Sequence, residues 1–89
     1  MVSMNTTWTS PHQGFSKCNL DAAIFPEANT FEAGFCLRDP HGNFIKGKTL
    51  FAPGIPSPKV AEAWALSKAI DWIRHLHLYN VVFELNYKM

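Results

Sequence analysis

The chain has 89 residues, which limits it to one small domain. Hydrophobic residues make up 47% of it, so the composition excludes a disordered chain and predicts a small packed core. The formal net charge is +1 and the pI is about 7.8, so no strong basic field indicates nonspecific binding to nucleic acid.

Residues 1–13 are polar, with one aromatic side chain, Trp8, and one proline, Pro11. We interpret them as an N-terminal arm whose Trp8 docks on a domain formed by residues 14–89. The first ten residues lack a basic region followed by an apolar run, so we predict no signal peptide. No stretch reaches the roughly 18 apolar residues of a membrane span. We therefore expect an intracellular protein, in a compartment that the sequence does not specify.

Three strands are predicted in the first half of the domain, over residues 15–24, 31–38 and 44–52. The first alternates clearly: one face carries Cys18, Leu20, Ala22 and Ile24, and the other carries Lys17, Asn19 and Asp21. Residues 39–43 (DPHGN) are rich in turn formers, so the second and third strands should form a hairpin. Three strands with short links predict an antiparallel meander.

A helix is predicted from Ser57 to His77. Ser57 can cap its first turn and Pro58 suits its first position. Apolar residues recur at helical spacing, and Glu62 lies on the same stripe; the stripe comprises Leu66, Ala69, Ile73 and Leu76. Residues 81–87 form a fourth strand. The element order β-β-β-α-β predicts an α+β fold (α/β in some classifications), with the helix packed on one face of a mixed sheet.

Two carboxylates stand where their elements should be apolar. Asp21 is followed by a continuing strand, and a carboxylate within a strand needs a charge, a hydrogen bond or a metal as partner. A turn former or a solvated residue is the alternative for Asp21. Glu62 is flanked by Ala61 and Ala63, which would let the helix approach the sheet and bring Glu62 to Asp21. An acidic residue favoured by the helix dipole is the alternative for Glu62.

The last strand carries Glu84 and Asn86 on one face, which a solvated edge strand would also explain. The two cysteines, Cys18 and Cys36, do not make a disulfide framework, and we expect buried thiols. The four histidines lack zinc-ligand spacing with these cysteines, and we predict that they lie at the surface.

Several segments together resemble one family, the plant ribonuclease H-like domains that accompany reverse transcriptases of non-LTR retroelements. The resemblance begins at Trp8, Pro11 and Gly14 and extends over about residues 8–88. Its motifs are KCNLDA (17–22), GFCLRD (34–39), AEAWAL (61–66) and VVFELN (81–86). Any one of these motifs is unspecific, whereas the ordered set is fairly specific.

The resemblance implies a ribonuclease H-like fold, here incomplete, and an ancestral cleavage of RNA–DNA hybrids with four carboxylates and two Mg²⁺ ions. By resemblance, Asp21 is the first-strand carboxylate and Glu62 the helix carboxylate, and both would bind metal. Asn86 stands where the family has an aspartate, and the segment with the fourth carboxylate is absent. An amide oxygen can ligate Mg²⁺ but carries no charge, so we expect Mg²⁺ binding to be weak or lost.

Our leading interpretation is a truncated, degenerate ribonuclease H-like domain that associates with RNA–DNA hybrid or other nucleic acid and is inactive as this chain. The first alternative is a non-enzymatic interaction module. Its exposed edge strand, from Val81 to Tyr87, would pair with another chain or with a second copy. The second alternative is a gene fragment that folds poorly.

Overall fold

A computed structural model describes residues 2–5 by their backbone and residues 14–86 in full. The described part contains one five-stranded sheet and one long helix. The strands are β1 (Val2–Asn5), β2 (Ser16–Phe25), β3 (Thr30–Arg38), β4 (Phe44–Pro53) and β5 (Val81–Leu85), and the helix is α1 (Pro58–His75). No helix in this part of the chain combines the length and the apolar character that a bilayer crossing requires.

The strand order across the sheet is β1-β5-β2-β3-β4. Strands β2, β3 and β4 form the predicted antiparallel meander, while β5 runs parallel to both β1 and β2. The sheet is therefore mixed and the helix packs on one of its faces. This confirms the predicted α+β class and the predicted pairing of β2 with β3, while β5 lies on the other side of β2.

Local signals account for the element boundaries. The Asp39 carboxylate accepts the backbone N–H groups of His41 and Asn43 at 2.9 and 2.8 Å, which closes the turn between β3 and β4. These hydrogen bonds, led by the one from Asn43, lower the pKa of Asp39. The Ser57 hydroxyl accepts the N–H of Val60 at 3.3 Å and caps α1 as predicted.

The core lies between α1 and the face of the sheet that it covers. Alternate residues of three strands supply the sheet side of the core: Cys18 and Leu20 of β2, Ala33, Phe35 and Leu37 of β3, and Val81, Phe83 and Leu85 of β5. The helix supplies Ala65, Ala69, Trp72 and Ile73. The Phe35 and Trp72 rings stack with centroids 5.6 Å apart. The alternation predicted for the first strand is confirmed by the burial of Cys18 and Leu20.

Strand β5 does not lie at an edge, because β1 pairs with its free side from Val2↔Val81 to Asn5↔Glu84. The prediction that residues 81–87 form an edge strand is therefore wrong for β5. The edges of the described sheet are β1 and β4. Local pattern could not reveal this, because β1 falls within the segment interpreted as an arm. The remaining residues of that arm, including Trp8, lie outside the described residues.

Candidate functional site

The first two candidate residues lie on neighbouring strands. Strands β2 and β5 pair in parallel up to Leu20↔Leu85, and the backbone N–H of Asn86 then donates to the carbonyl of Leu20 at 3.0 Å. This hydrogen bond extends the register by one residue, so Asn86 lies beside Asp21. Asp21 is half-buried and Asn86 is exposed, at the point where β5 ends and β2 continues to Phe25.

The third candidate residue comes from the first turns of α1. Ala61 is 1% exposed against the sheet, and the half-buried Glu62 follows it at the rim of the same interface. Glu62, Asp21 and Asn86 line one cavity of about 160 Å³, together with Ala22, Ile24, Pro58 and Ala61. The structure thus brings together the three residues that the sequence analysis selected.

One expectation about the helix approach is corrected. Ala63 is exposed, whereas the residues of α1 buried against the sheet include Ala61, Ala65 and Ala69. Ala63 does not face the sheet because the residues directly before and after Glu62 point about 200° apart around a helix. Ala61, Ala65 and Ala69 recur every four residues and therefore share one face of α1. This buried face determines how closely α1 approaches the sheet.

The cavity brings together three oxygen-bearing side chains, two carboxylates and one amide. Carboxylate and amide oxygens are ligands that Mg²⁺ accepts, usually with several of its waters retained. Asp21 and Glu62 contribute two negative charges and Asn86 a neutral oxygen. Within residues 14–86 no cluster of three or more Asp, Glu, His or Cys side chains is placed to hold a metal ion. Binding of Mg²⁺ in this cavity therefore stays a prediction, with two carboxylates and one amide as its candidate protein ligands.

A wider groove of about 490 Å³ adjoins this cavity on the sheet face that α1 leaves open. It shares Asp21 and Asn86 with the cavity and extends across β3 to β4. Its lining includes Asn19, Gly34, Cys36, Gly47 and Thr49. A Cβ atom at Gly34 would meet nothing within 4 Å, so the missing side chain leaves the floor of the groove open. The groove was not predicted from the sequence. The sequence signal that could have indicated it is the pair of small residues at alternate positions of β3, Gly34 and Cys36.

A buried ion pair lies between the same two strands, β2 and β5, on the sheet face that α1 leaves open. The Lys17 ammonium lies 2.8 Å from the Glu84 carboxylate, and the two side chains are 3% and 1% exposed. The solvated-edge interpretation is therefore wrong for Glu84, because β5 has a strand on each side. The Oδ1 atom of Asn19, the register partner of Glu84, is also buried and has no hydrogen-bond partner among the described residues. Polar groups thus continue from the candidate site along β2.

The remaining chemically active side chains lie apart from this cavity. Both cysteines are free thiols, Cys18 buried and Cys36 half-buried. Burial, with a smaller effect of Cys36, raises the pKa of the Cys18 thiol to about 12, so this thiol is not a nucleophile at neutral pH. His41, His75 and His77 are exposed as expected, while His12 lies outside the described residues.

A family model described as reverse transcriptase-like matches residues 19–89, which is most of the chain and includes all three candidate residues. The chain belongs to the reverse transcriptase-like family. No curated protein and no solved structure matches it. For this reverse transcriptase-like chain the family match therefore supports a nucleic-acid-related domain.

The close approach of α1 to the sheet can be tested at the two residues that flank Glu62. Ala61→Leu is expected to lower the free energy of unfolding by about 1–3 kcal/mol, because a larger side chain has no room at this buried position. Ala63→Leu makes the same chemical change at an exposed position and is expected to stay within about 0.5 kcal/mol of the wild type. Urea unfolding followed by circular dichroism measures both. Equal effects would mean that Ala61 does not set the helix height.

Proposed function

We propose that this chain is a ribonuclease H-like domain that contacts nucleic acid and holds one Mg²⁺ ion weakly, without efficient cleavage of RNA–DNA hybrids. The observation that carries the proposal is the cavity lined by Asp21, Glu62 and Asn86. The family match supports a nucleic-acid-related role over the same residues.

Charge is the reason for proposing weak metal binding. Two Mg²⁺ ions would bring four positive charges to a cavity in which Asp21 and Glu62 supply two negative ones. Two-metal hydrolysis requires one ion at the attacking oxygen and one at the leaving oxygen. With Asn86 in the third position, the proposed site would hold one ion, whose remaining ligands would be water or phosphate oxygens. A single weakly bound ion would leave one of these two oxygens without a metal ion to stabilise it.

Contact with nucleic acid is proposed through this metal site rather than through a basic surface. The net charge of +1 gives little general attraction to phosphate. A bound Mg²⁺ ion would supply a local positive charge at the rim of the sheet, where a phosphate group could complete its coordination. Binding of a hybrid should therefore depend on Mg²⁺ more strongly than it does for a protein with a basic surface.

Calorimetric titration with Mg²⁺ tests the site. The wild-type chain is expected to bind one ion weakly, and Asp21→Asn is expected to abolish the signal because it leaves one carboxylate. Asn86→Asp is expected to bind Mg²⁺ at least tenfold more tightly, because a third negative charge beside the ion adds more than the roughly 1.4 kcal/mol that a tenfold change requires. Asp71→Asn, an exposed carboxylate of α1 outside the cavity, is the matched control and should change nothing.

A labelled RNA–DNA hybrid tests the reaction with the same variants. Neither the wild type nor Asn86→Asp should cleave it efficiently, because in both the cavity offers too few carboxylates among residues 14–86 to hold a second ion. Hybrid binding, measured by anisotropy, should need Mg²⁺ and should be lost in Asp21→Asn. Mg²⁺-dependent cutting by the wild type that disappears in Asp21→Asn would show that the cavity carries enough charge for catalysis. Mg²⁺ binding that survives Asp21→Asn would place the ion elsewhere.

A further inference from the structure

Strand β4 is an edge strand with unusual apolar exposure. It is ten residues long, and β3 is its only neighbour in the described sheet. Its large apolar side chains Phe44, Ile45 and Phe51 are 61%, 49% and 68% exposed. An edge strand of this length presents a row of backbone N–H and C=O groups that another strand can pair with. The exposed aromatic side chains add contact area for such a partner.

The two faces of β4 differ in charge. In its register with β3, Lys46 lies opposite Leu37 and Lys48 opposite Phe35, so both lysines lie on the face that α1 covers. Thr49 and Phe51 alternate with them and lie on the open face of the sheet. A strand added beside β4 would therefore meet two lysines on one face and mainly apolar or small side chains on the other.

The lysine charges are available to a partner. Within residues 14–86 neither Lys46 nor Lys48 forms an ion pair, and both side chains are exposed. Lys48 shares a surface pocket with Lys68 and Asp71 of α1, where two lysines face one carboxylate and the formal charge is positive. The preferred partner for this face is therefore acidic.

The same lysines disfavour the simplest pairing of two copies. In an antiparallel pair of β4 strands centred on Gly47, Lys46 of each copy would lie opposite Lys48 of the other copy. Two pairs of like charges would result. A pair centred on Lys46 or on Lys48 would place two identical lysines opposite each other. Like charges directly opposite across strands are destabilising. The charge pattern thus favours a different chain over a second copy.

We propose that β4 is a docking edge for an extended segment of a partner protein that alternates acidic and apolar side chains. The segment pairs with the backbone of β4, its acidic side chains meet Lys46 and Lys48, and its apolar side chains lie toward Phe51 on the open face. This inference does not rest on the proposed metal site, because none of its residues lines that cavity.

The probe is a labelled ten-residue peptide that alternates valine and glutamate, and the readout is fluorescence anisotropy with the whole chain. Three further reagents are matched to it: a peptide that alternates valine and lysine, a peptide of the acidic composition with its glutamates in one block, and the variant Lys46→Glu/Lys48→Glu. The variant Lys59→Glu/Arg74→Glu makes the same change in net charge at exposed positions of α1. Circular dichroism verifies that each variant is folded.

The wild type should bind the alternating acidic peptide at least tenfold more tightly than the basic one, and Lys46→Glu/Lys48→Glu should reverse that preference. Lys59→Glu/Arg74→Glu should keep the wild-type preference. Hydrogen exchange should slow on binding within residues 44–53. If the block peptide bound as tightly as the alternating acidic peptide, net charge alone would explain the binding, and the proposal would be overturned. Protection elsewhere, or sedimentation as a dimer that buries β4, would overturn it as well.

Discussion

Glu84→Gln is expected to lower the free energy of unfolding by about 3–5 kcal/mol, which is a large share of the stability of a domain this small. The Glu84 carboxylate lies 2.8 Å from the Lys17 ammonium, and both side chains are almost fully buried. Glutamine keeps the shape but removes the negative charge. The Lys17 ammonium then loses its carboxylate partner at 2.8 Å while staying almost fully buried, and this loss is the dominant cost. Urea unfolding at neutral pH measures the change.

Two variants control this prediction. Glu27→Gln makes the same chemical change at an exposed position and is expected to stay within about 0.5 kcal/mol of the wild type. Lys17→Met combined with Glu84→Gln removes both charges, so the double variant should recover much of the stability that Glu84→Gln loses. A Glu84→Gln protein as stable as the wild type would mean that the ion pair adds nothing over a neutral hydrogen bond.

Alkaline pH is expected to destabilise the protein through Cys18. Burial, helped by the nearby Cys36, raises the pKa of this thiol from 9.0 to about 12 in the folded state. Below pH 9 both the folded and the unfolded states keep the proton, so Cys18 adds no pH dependence there. From about pH 9 to 12 only the unfolded state loses it, and the free energy of unfolding should fall by about 1.4 kcal/mol per pH unit.

Comparison with a variant isolates this contribution from that of other groups that titrate in the same range. Cys18→Ala removes the thiol, so its unfolding free energy should fall less steeply between pH 9 and 11 than that of the wild type. Cys36→Ala is the matched control and should keep most of the wild-type slope, because Cys36 is only the smaller cause of the raised pKa. Identical slopes for the wild type and Cys18→Ala would contradict the assignment.

Elements with strong local signals were predicted closely. The strand predicted over residues 15–24 is Ser16–Phe25, and the helix predicted to begin at Ser57 and Pro58 does so. The α1 helix ends at His75, two residues before the predicted end, where the chain turns through the left-handed conformation of His77. These elements were predictable because alternation, capping and turn formation act between residues close in the chain.

The candidate site was predicted in part. Asp21 and Glu62 could be selected because each breaks an apolar pattern, and the family resemblance added Asn86. Their common cavity follows from the parallel register of β2 with β5 and from the buried Ala61 beneath α1. The open-face groove and the Lys17–Glu84 pair were missed, because both arise from side chains on different strands.

The sequence by itself determined the order and type of the main elements, the faces of β2 and the identity of the three candidate residues. Tertiary structure alone decided that β5 lies inside the sheet, that Glu84 is therefore buried beside Lys17, and that β4 is the exposed edge. The physical reason is the range of the interactions. The burial of a strand depends on which strands flank it. Strand β1 pairs with the outer side of β5, yet it lies more than seventy residues away from β5 in the chain.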